Sequence, residues 1–345
     1  MSDTILPPEH NPRLIGHEAA VAAFRQASAS RLHHAWLLYG PEGVGKTTFA
    51  FHCANHLLSG GRVPIGRLDS HDRNFKLIGS GAHPDLQVIG RPVDEKTGAV
   101  KDEIPVDSVR ALTEFFRLTS SQGGWRVAIV RDADMMNRNA ANALLKILEE
   151  PPARGMILMT AAARGRLLPT IRSRCRPLHF APLGAAQMAE VLRLHLADLP
   201  ADDRAMLDRL AAGSPGRALQ ILDCDGLKLY RDFLQAVQNA GRERNAALLR
   251  FSAVVGGKAE AGRFALIAHY CEDWLRRLLH LAATGEAVEN TGGEGQILRR
   301  MAAVKPLAHW LETAENCHRQ FTLAVHANLD KRLVLLNCLQ EVVNA

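Results

Sequence analysis

The sequence predicts an α/β domain with a parallel sheet and a P-loop, followed by domains made only of helices. Apolar runs of strand length alternate with helical patterns up to residue 182, and strands that alternate with helices form parallel sheets. After Pro182 no strand pattern appears again. We therefore expect a P-loop domain over residues 1–182, a small helical domain over residues 183–224 and a larger all-helical domain over residues 225–345.

The composition is that of a soluble globular protein. Of 345 residues, 47% are apolar and 23% are charged. The formal net charge of +6 permits contact with a polyanion without requiring it. The six cysteines are scattered and form no C-x-x-C pair, so we expect neither a disulfide framework nor a zinc site. Since neither a signal peptide nor an apolar run of bilayer-spanning length is recognisable, we expect a cytoplasmic protein.

The most informative stretch runs from Trp36 to Thr47. Its apolar beginning predicts a buried strand, and residues 40–47 match the pattern G-x-x-x-x-G-K-[ST]. In such a loop, glycines allow backbone N–H groups to wrap a phosphate chain. Lys46 reaches the β- and γ-phosphates, and the Thr47 hydroxyl holds Mg²⁺. A glycine-rich turn without a ligand would leave the spacing of Lys46 and Thr47 unexplained. The predicted nucleotide-binding residues of this loop are Gly40, Gly43, Gly45, Lys46, Thr47 and Thr48.

The other elements of the first domain follow in order. Helical spacing predicts helices over residues 15–30, 48–58, 106–118, 139–150 and 167–174. Apolar runs predict strands over residues 36–39, 85–89, 125–130, 156–160 and 178–180. Residues 59–83 and 90–103 lack periodicity and predict surface loops. Ligands bind at the carboxyl ends of parallel strands, so Lys46, Asp132 and Thr160 are expected to converge on one site.

Nucleotide hydrolysis requires more than a P-loop. A carboxylate at the end of a neighbouring strand must help to hold Mg²⁺, and a second acidic residue must orient the attacking water. The expected pattern is an apolar strand followed by Asp-Glu, whereas here the strand is followed by Arg131 and Asp132. A guanidinium repels a cation and cannot be deprotonated. We therefore expect a degenerate Mg²⁺ site at Arg131 and Asp132.

Several segments together resemble the bacterial clamp-loader subunits of the AAA+ superfamily. They are the P-loop, Thr160 at a strand end, NALLKILEEPP at 142–152, LPTIRSRC at 168–175 and GSPGRAL at 213–219. The resemblance covers residues 10–220 well, and the C-terminal helices match only in character. The departure at Arg131 sets the chain apart from the gamma/tau motor subunits. The cysteine zinc module of the motor is absent or has lost its metal, since only Cys53 lies near, although this difference separates the subunits less cleanly.

The resemblance implies an AAA+ domain, a helical lid and an oligomerisation collar. It implies that Arg174 is an arginine finger acting in trans, that Thr160 is the sensor-1 residue and that Arg217 is the sensor-2 arginine. Without the resemblance, the alternatives are a structural arginine paired with a carboxylate at Arg174, a strand-end hydroxyl at Thr160 and an exposed helix cation at Arg217. The apolar residues of the segment 272–282 either face the collar or form the core of their own domain. They are Trp274, Leu275, Leu278, Leu279 and Leu281.

The function implied is that of a largely non-hydrolysing clamp-loader subunit, which helps to load the sliding clamp during DNA replication. It would bind ATP or ADP with absent or very weak ATPase activity of its own. Its partners would be the gamma/tau and delta subunits of a hetero-oligomeric ring, with the sliding clamp and primer-template DNA reached through the complex. The main alternative is an active gamma/tau-like ATPase. A binding module unconnected with replication and a small-molecule kinase are less well matched.

Overall fold

A computed structural model describes residues 6–94, 100–121, 123–195, 199–239, 246–255, 260–326 and 329–343. The predicted polar loop at 90–103 therefore lies partly outside the described residues. The chain divides into two compact units. The first comprises Met1–Ala197 with Ala212–Gly216, and the second comprises Asp198–Ala211 with Arg217–Ala345. The division into three domains at residues 182 and 224 stays a prediction.

The first unit is built on a parallel sheet, as the sequence predicts. Its strands are β1 Ala35–Tyr39, β2 Leu86–Ile89, β3 Arg126–Val130, β4 Gly155–Ala161 and β5 Arg176–His179. They have the order β2-β3-β4-β1-β5, and every pairing between them is parallel. Every residue of β3 and β4 is buried, which explains why each strand contains a continuous apolar run, at residues 127–130 and 156–159.

Helices cover both faces of the sheet. One apolar core contains Phe24 and Phe49 from two helices, and the other contains Leu112 and Leu144 from two further helices. The helices of this unit are α1 Glu18–Ala29, α2 Lys46–Leu58, α3 Arg73–Gly79, α4 Val106–Arg117, α5 Arg138–Glu149, α6 Pro169–Arg172 and α7 Ala185–His195. Short 3-10 turns lie at Pro8–His10, Ala133–Met135 and Arg164–Arg166.

Helix α3 corrects the sequence analysis, which predicted a surface loop over residues 59–83. The carboxylate of Asp72 caps this helix by accepting a 2.9 Å hydrogen bond from the backbone N–H of Phe75. Phe75 and Ile78 are buried. A helix of two turns with two buried apolar residues has too little periodicity to stand out from its glycine-rich surroundings.

The second unit contains only helices among its described residues. The helix Pro215–Asp223 begins in the first unit and continues into the second. Trp274, Leu275 and Leu278 are almost completely buried, so they form the core of their own unit. The helices are α8 Ala201–Ala211, α9 Pro215–Asp223, α10 Gly226–Asn239, α11 Ala246–Ser252, α12 Glu260–Thr284, α13 Glu294–Ala302, α14 Leu307–His326 and α15 Lys331–Val343. None of the described helices combines the length and the apolar character needed to cross a bilayer.

A buried ionic network joins three helices of this second unit. Arg277 is 2% exposed and pairs with Asp273 at 2.8 Å and with Glu294. It also donates to the Tyr230 hydroxyl at 2.7 Å. Asn290, from the segment between α12 and α13, donates to Asp273 at 3.1 Å and is itself buried. Part of that segment is therefore held by polar contacts that the sequence pattern does not indicate.

Candidate nucleotide-binding site

The P-loop lies between β1 and α2, at the carboxyl end of β1. Its three glycines have positive φ angles, which are 149° at Gly40, 74° at Gly43 and 107° at Gly45. A Cβ atom on Gly40 would lie 2.0 Å from the carbonyl oxygen of Phe180, so no other residue fits there without a shift. Helix α2 begins directly at Lys46. The predicted order of strand, glycine loop and helix is confirmed.

Each backbone carbonyl of residues 40–44 accepts a hydrogen bond from the protein. Carbonyl groups cannot bind phosphate oxygens, so these bonds fix the shape of the loop without occupying its donors. The donors are the Lys46 ammonium to Gly40 and Pro41 at 2.6 Å each, Ser214 Oγ to Glu42 at 2.8 Å, the Gly216 amide to Gly43 at 2.8 Å and His17 Nε2 to Val44 at 2.7 Å.

The backbone N–H groups of residues 42–47, unlike the carbonyl groups of the loop, donate no hydrogen bond to another residue within the described chain. They lie beside the positive end of the α2 dipole. A loop whose carbonyls are all bonded and whose N–H groups are available fits a chain of phosphates.

Lys46 supplies the positive charge of this loop. The residue is 7% exposed, and burial lowers the pKa of its ammonium group. The nearby charges of Glu42, Asp132 and Asp134 oppose that shift. Thr47 is half-buried, and Thr48 is buried. Lys46 is thus close enough to two carboxylates of the turn after β3 to interact with them electrostatically.

The turn after β3 carries the predicted degenerate site. Arg131 is exposed, and its N–H continues the sheet pairing by donating to Ile89 O at 2.8 Å. Asp132 has a φ of 52°, and its N–H donates to Thr160 Oγ1 at 3.0 Å. The Asp132 carboxylate lies 3.7 Å from Arg91 Nη2. The structure therefore brings Asp132 and Thr160 together, and it pairs the Asp132 carboxylate with Arg91.

Two residues near the loop were missed by the sequence analysis. Asp134 Oδ2 accepts from the Ala162 N–H at 3.1 Å, just beyond the end of β4. Its position two residues after Asp132, at the same strand end, was the available signal. His17 was missed because its ring reaches Val44 across 27 positions of sequence. Burial lowers the pKa of His17, which keeps the ring neutral as it donates to Val44.

Arg174 lies at the opposite end of β1 from the P-loop. It follows α6, two residues before Arg176, which pairs with Trp36 near the beginning of β1. Its side chain is 37% exposed and forms an ion pair of 2.9 Å with Glu149. The neighbouring Cys175 is buried, and burial raises the pKa of its thiol to about 12, so it is no nucleophile.

Arg217 belongs to the second unit. In that unit the pKa of His269 is lowered, mainly by burial and to a smaller extent by the positive charge of Arg217. In the described residues, no group of three or more His, Cys, Asp or Glu side chains is arranged to hold a metal ion.

The fold and the site together define a class of protein. A P-loop after β1 in a five-stranded parallel sheet of this order, followed by helices, is the architecture of AAA+ nucleotide-binding proteins. Residues 16–184 match the family described as DNA polymerase III, delta subunit. This match confirms the resemblance to bacterial clamp-loader subunits. The similar curated proteins include several delta-prime subunits.

Two curated relatives illustrate the match. The chain is 41% identical over 182 residues to DNA polymerase III subunit delta' of Pseudomonas aeruginosa, which covers 53% of each chain. It is 34% identical over 221 residues to the same subunit of Escherichia coli, which covers 64% of this chain and 63% of the relative. The matches thus span between about half and two thirds of the length of these relatives.

Solved structures show a more distant likeness. A DNA polymerase III gamma subunit-related protein from Thermotoga maritima is 16% identical, with a TM-score of 0.44 over 94% of this chain and 98% of the other. A likeness of this degree has no bearing on function.

Proposed function

We propose that this chain is a clamp-loader subunit of the delta-prime type, which binds a nucleotide without turning it over and acts on a neighbouring subunit's ATP. The observation that carries the proposal is a well-formed P-loop beside a strand end at which arginine stands in place of an acidic metal ligand. Similarity to DNA polymerase III delta' subunits supports the place of the chain in replication.

Nucleotide binding is supported by the donors of the P-loop. The unbonded N–H groups of residues 42–47, the N-terminus of α2 and Lys46 would hold the phosphates of ATP or ADP. Lys46 would give up its bonds to the Gly40 and Pro41 carbonyls as its ammonium group turned to a phosphate. The other carbonyl bonds of the loop could persist, so the loop would keep its shape on binding.

The absence of turnover is inferred from the Mg²⁺ ligands. Thr47 offers a hydroxyl and Asp132 a carboxylate, but Asp132 already interacts with Arg91. Arg131 stands where the first carboxylate is needed, and its guanidinium repels a cation. The residues present therefore do not form a Mg²⁺ site that supports hydrolysis.

The contribution of Arg174 is proposed to be made to another subunit. Arg174 lies at the amino end of the strands, whereas the P-loop follows the carboxyl end of β1. An arginine so placed does not reach its own P-loop but is exposed to a neighbour. Supplied in trans, a guanidinium stabilises the charge on the transferring γ-phosphoryl group and increases the rate by roughly 10³–10⁵ in other systems.

The first experiment uses the purified chain. Equilibrium binding of ATP and ADP, with and without Mg²⁺, should show binding that is lost in Lys46→Ala, together with little or no hydrolysis. Arg131→Asp should increase the effect of Mg²⁺ on binding, whereas Arg138→Asp, a matched change at an exposed arginine on α5, should not. Robust Mg²⁺-dependent turnover by the wild-type chain would instead support the alternative of an active gamma/tau-like ATPase, which the intact P-loop favours.

The second experiment uses the assembled loader. With its own motor and delta subunits present, Arg174→Ala should lower DNA-stimulated ATP turnover and clamp loading by at least tenfold. Arg172→Ala, a neighbouring arginine on α6, provides the matched control and should leave both rates within twofold of wild type. Unchanged rates in Arg174→Ala would refute the role in trans.

A further inference from the structure

Arg174 is held by a carboxylate from a different helix. We propose that Glu149 is a positioning residue, which binds the Arg174 guanidinium while no phosphate is present and yields it to the γ-phosphate of a neighbouring subunit's nucleotide. The inference rests on the proposed function of Arg174. Glu149 would thereby compete with ATP for the guanidinium and set the ATP concentration at which Arg174 binds the γ-phosphate.

Among the described residues, the Arg174 guanidinium has two contacts, a local hydrogen bond to Thr170 and an ion pair with Glu149 that a phosphate could replace. Nη1 donates to the carbonyl oxygen of Thr170 at 3.0 Å, within the same short helical segment. Nη2 lies 2.9 Å from the carboxylate of Glu149, the last residue of α5. The Thr170 contact is local and orients the side chain. The Glu149 contact occupies the nitrogen that an incoming phosphate could take.

Exposure makes this ion pair replaceable. The side chains are 37% exposed for Arg174 and 50% for Glu149. Ion pairs that are in contact with water contribute little net stabilisation, because solvent screens them. A phosphate offers more negative charge and more acceptor oxygens than a carboxylate, and its paired hydrogen bonds with arginine are among the strongest in proteins. The exchange of Glu149 for a γ-phosphate is therefore favourable.

The adjacent acid provides a contrast within the same motif. Glu149 and Glu150 are consecutive, and both are exposed. In the described part of the chain Glu149 has an ion pair with Arg174, whereas Glu150 has no ion-pair partner. Pro151 and Pro152 end α5 directly after them, which fixes the helix end that carries Glu149. Glu150 is thus a control with the same charge, the same helix end and no contact with the guanidinium.

The test is made in the assembled loader with its motor and delta subunits. Glu149→Gln keeps the size of the side chain and removes its charge. It should lower the KM for ATP two- to fivefold and leave kcat within twofold of wild type. Binding of a non-hydrolysable ATP analogue to the loader should tighten by the same factor, which provides a readout that does not depend on turnover. Glu150→Gln should match wild type, and Glu149→Asp, which keeps the charge, should restore most of the wild-type KM.

A double variant separates this inference from the proposed function. In Arg174→Ala, the further change Glu149→Gln should no longer affect KM, since the competed group is absent. An effect of Glu149→Gln that persists without Arg174, or a wild-type KM in Glu149→Gln alongside a slow Arg174→Ala, would overturn the inference only. Wild-type turnover in Arg174→Ala would overturn the proposed function and, with it, the role of Glu149.

Discussion

The backbone amide of Gly216 donates a 2.8 Å hydrogen bond to the carbonyl oxygen of Gly43 in the P-loop. The two glycines lie so close that a Cβ atom on Gly216 would be 2.6 Å from Gly43 Cα. The segment around Gly216 therefore contacts the P-loop through its backbone, at a position where no side chain fits. This contact explains why glycine is required at residue 216.

Gly216→Ala should therefore displace the P-loop. Overpacking of this kind costs about 1–3 kcal/mol, and we expect nucleotide affinity to fall by about tenfold, measured by equilibrium binding of a fluorescent nucleotide. Gly184→Ala is the matched control, since the nearest atom to its new Cβ would lie 3.9 Å away. Equal affinities for Gly216→Ala and wild type would show that the segment does not shape the loop.

Thr160 should stabilise the turn that carries Asp132. Its hydroxyl accepts the Asp132 N–H at 3.0 Å, and Thr160 is 1% exposed. Thr160→Val keeps the shape but leaves that N–H without an acceptor, which should cost about 1–3 kcal/mol in the free energy of unfolding. Thr160→Ser retains the hydroxyl and should recover most of the loss. Both are measured by urea unfolding, and a Val variant as stable as the Ser variant would contradict this.

Stability should decline in acid because of His52. This fully buried ring accepts the Gly66 N–H at Nδ1 and donates from Nε2 to Asn11 O, so it is neutral in the fold. Burial lowers its pKa from 6.5 to about 4. The unfolded chain thus binds the extra proton first, and stability present above about pH 6.5 is lost as the pH falls towards 4. The full effect is roughly 3 kcal/mol.

A variant isolates the contribution of His52 from that of other histidines. Gln in place of His52 can donate and accept on the same sides without titrating. Urea unfolding between pH 7.5 and 4.5 should therefore show a smaller loss for His52→Gln than for wild type. His71→Gln, at an exposed position, should follow the wild-type curve. Parallel curves for wild type and His52→Gln would exclude His52 as the source.

Arg277 should be the most sensitive position of the second unit. Arg277→Met would leave the buried Glu294 carboxylate, which is 1% exposed, without its cation. Removing one partner of a buried ion pair costs about 3–5 kcal/mol. Arg276→Met, at an exposed arginine one position earlier, should cost under about 1 kcal/mol. Circular dichroism during urea unfolding would measure both, and similar losses for the two variants would contradict the role of the network.

The sequence predicted the sheet and the P-loop because their signals are local. Strands buried on both faces appear as unbroken apolar runs, such as residues 127–130, and the glycine and lysine spacing of the loop is contiguous. Helix α3 was missed because two turns carry too little periodicity. Both ends of each of the five helices predicted within residues 1–182 lie within three residues of the observed ends.

The supports of the site could not be predicted because they join distant positions. Ser214 reaches Glu42 across 172 positions, and His17 reaches Val44 across 27. Nothing in the pattern around residue 214 or residue 17 indicates which carbonyl each would satisfy. The contacts of Arg277 were likewise only partly predictable. Its pairing with Asp273 follows from a spacing of four residues in one helix. Its contacts with Glu294 and Tyr230 depend on how three helices pack together.

The register between β5 and β1 has a genetic consequence. Arg176 is opposite Trp36, so the chain carries Arg174 at the end of the sheet that is remote from its own phosphate loop. If Arg174 serves a neighbour, a defect in it would slow a different polypeptide from the one that bears the mutation. In mixtures of wild-type and Arg174→Ala chains, activity would then follow the fraction of complexes that received an intact copy, and the phosphate loop of the mutant chain itself would bind nucleotide normally.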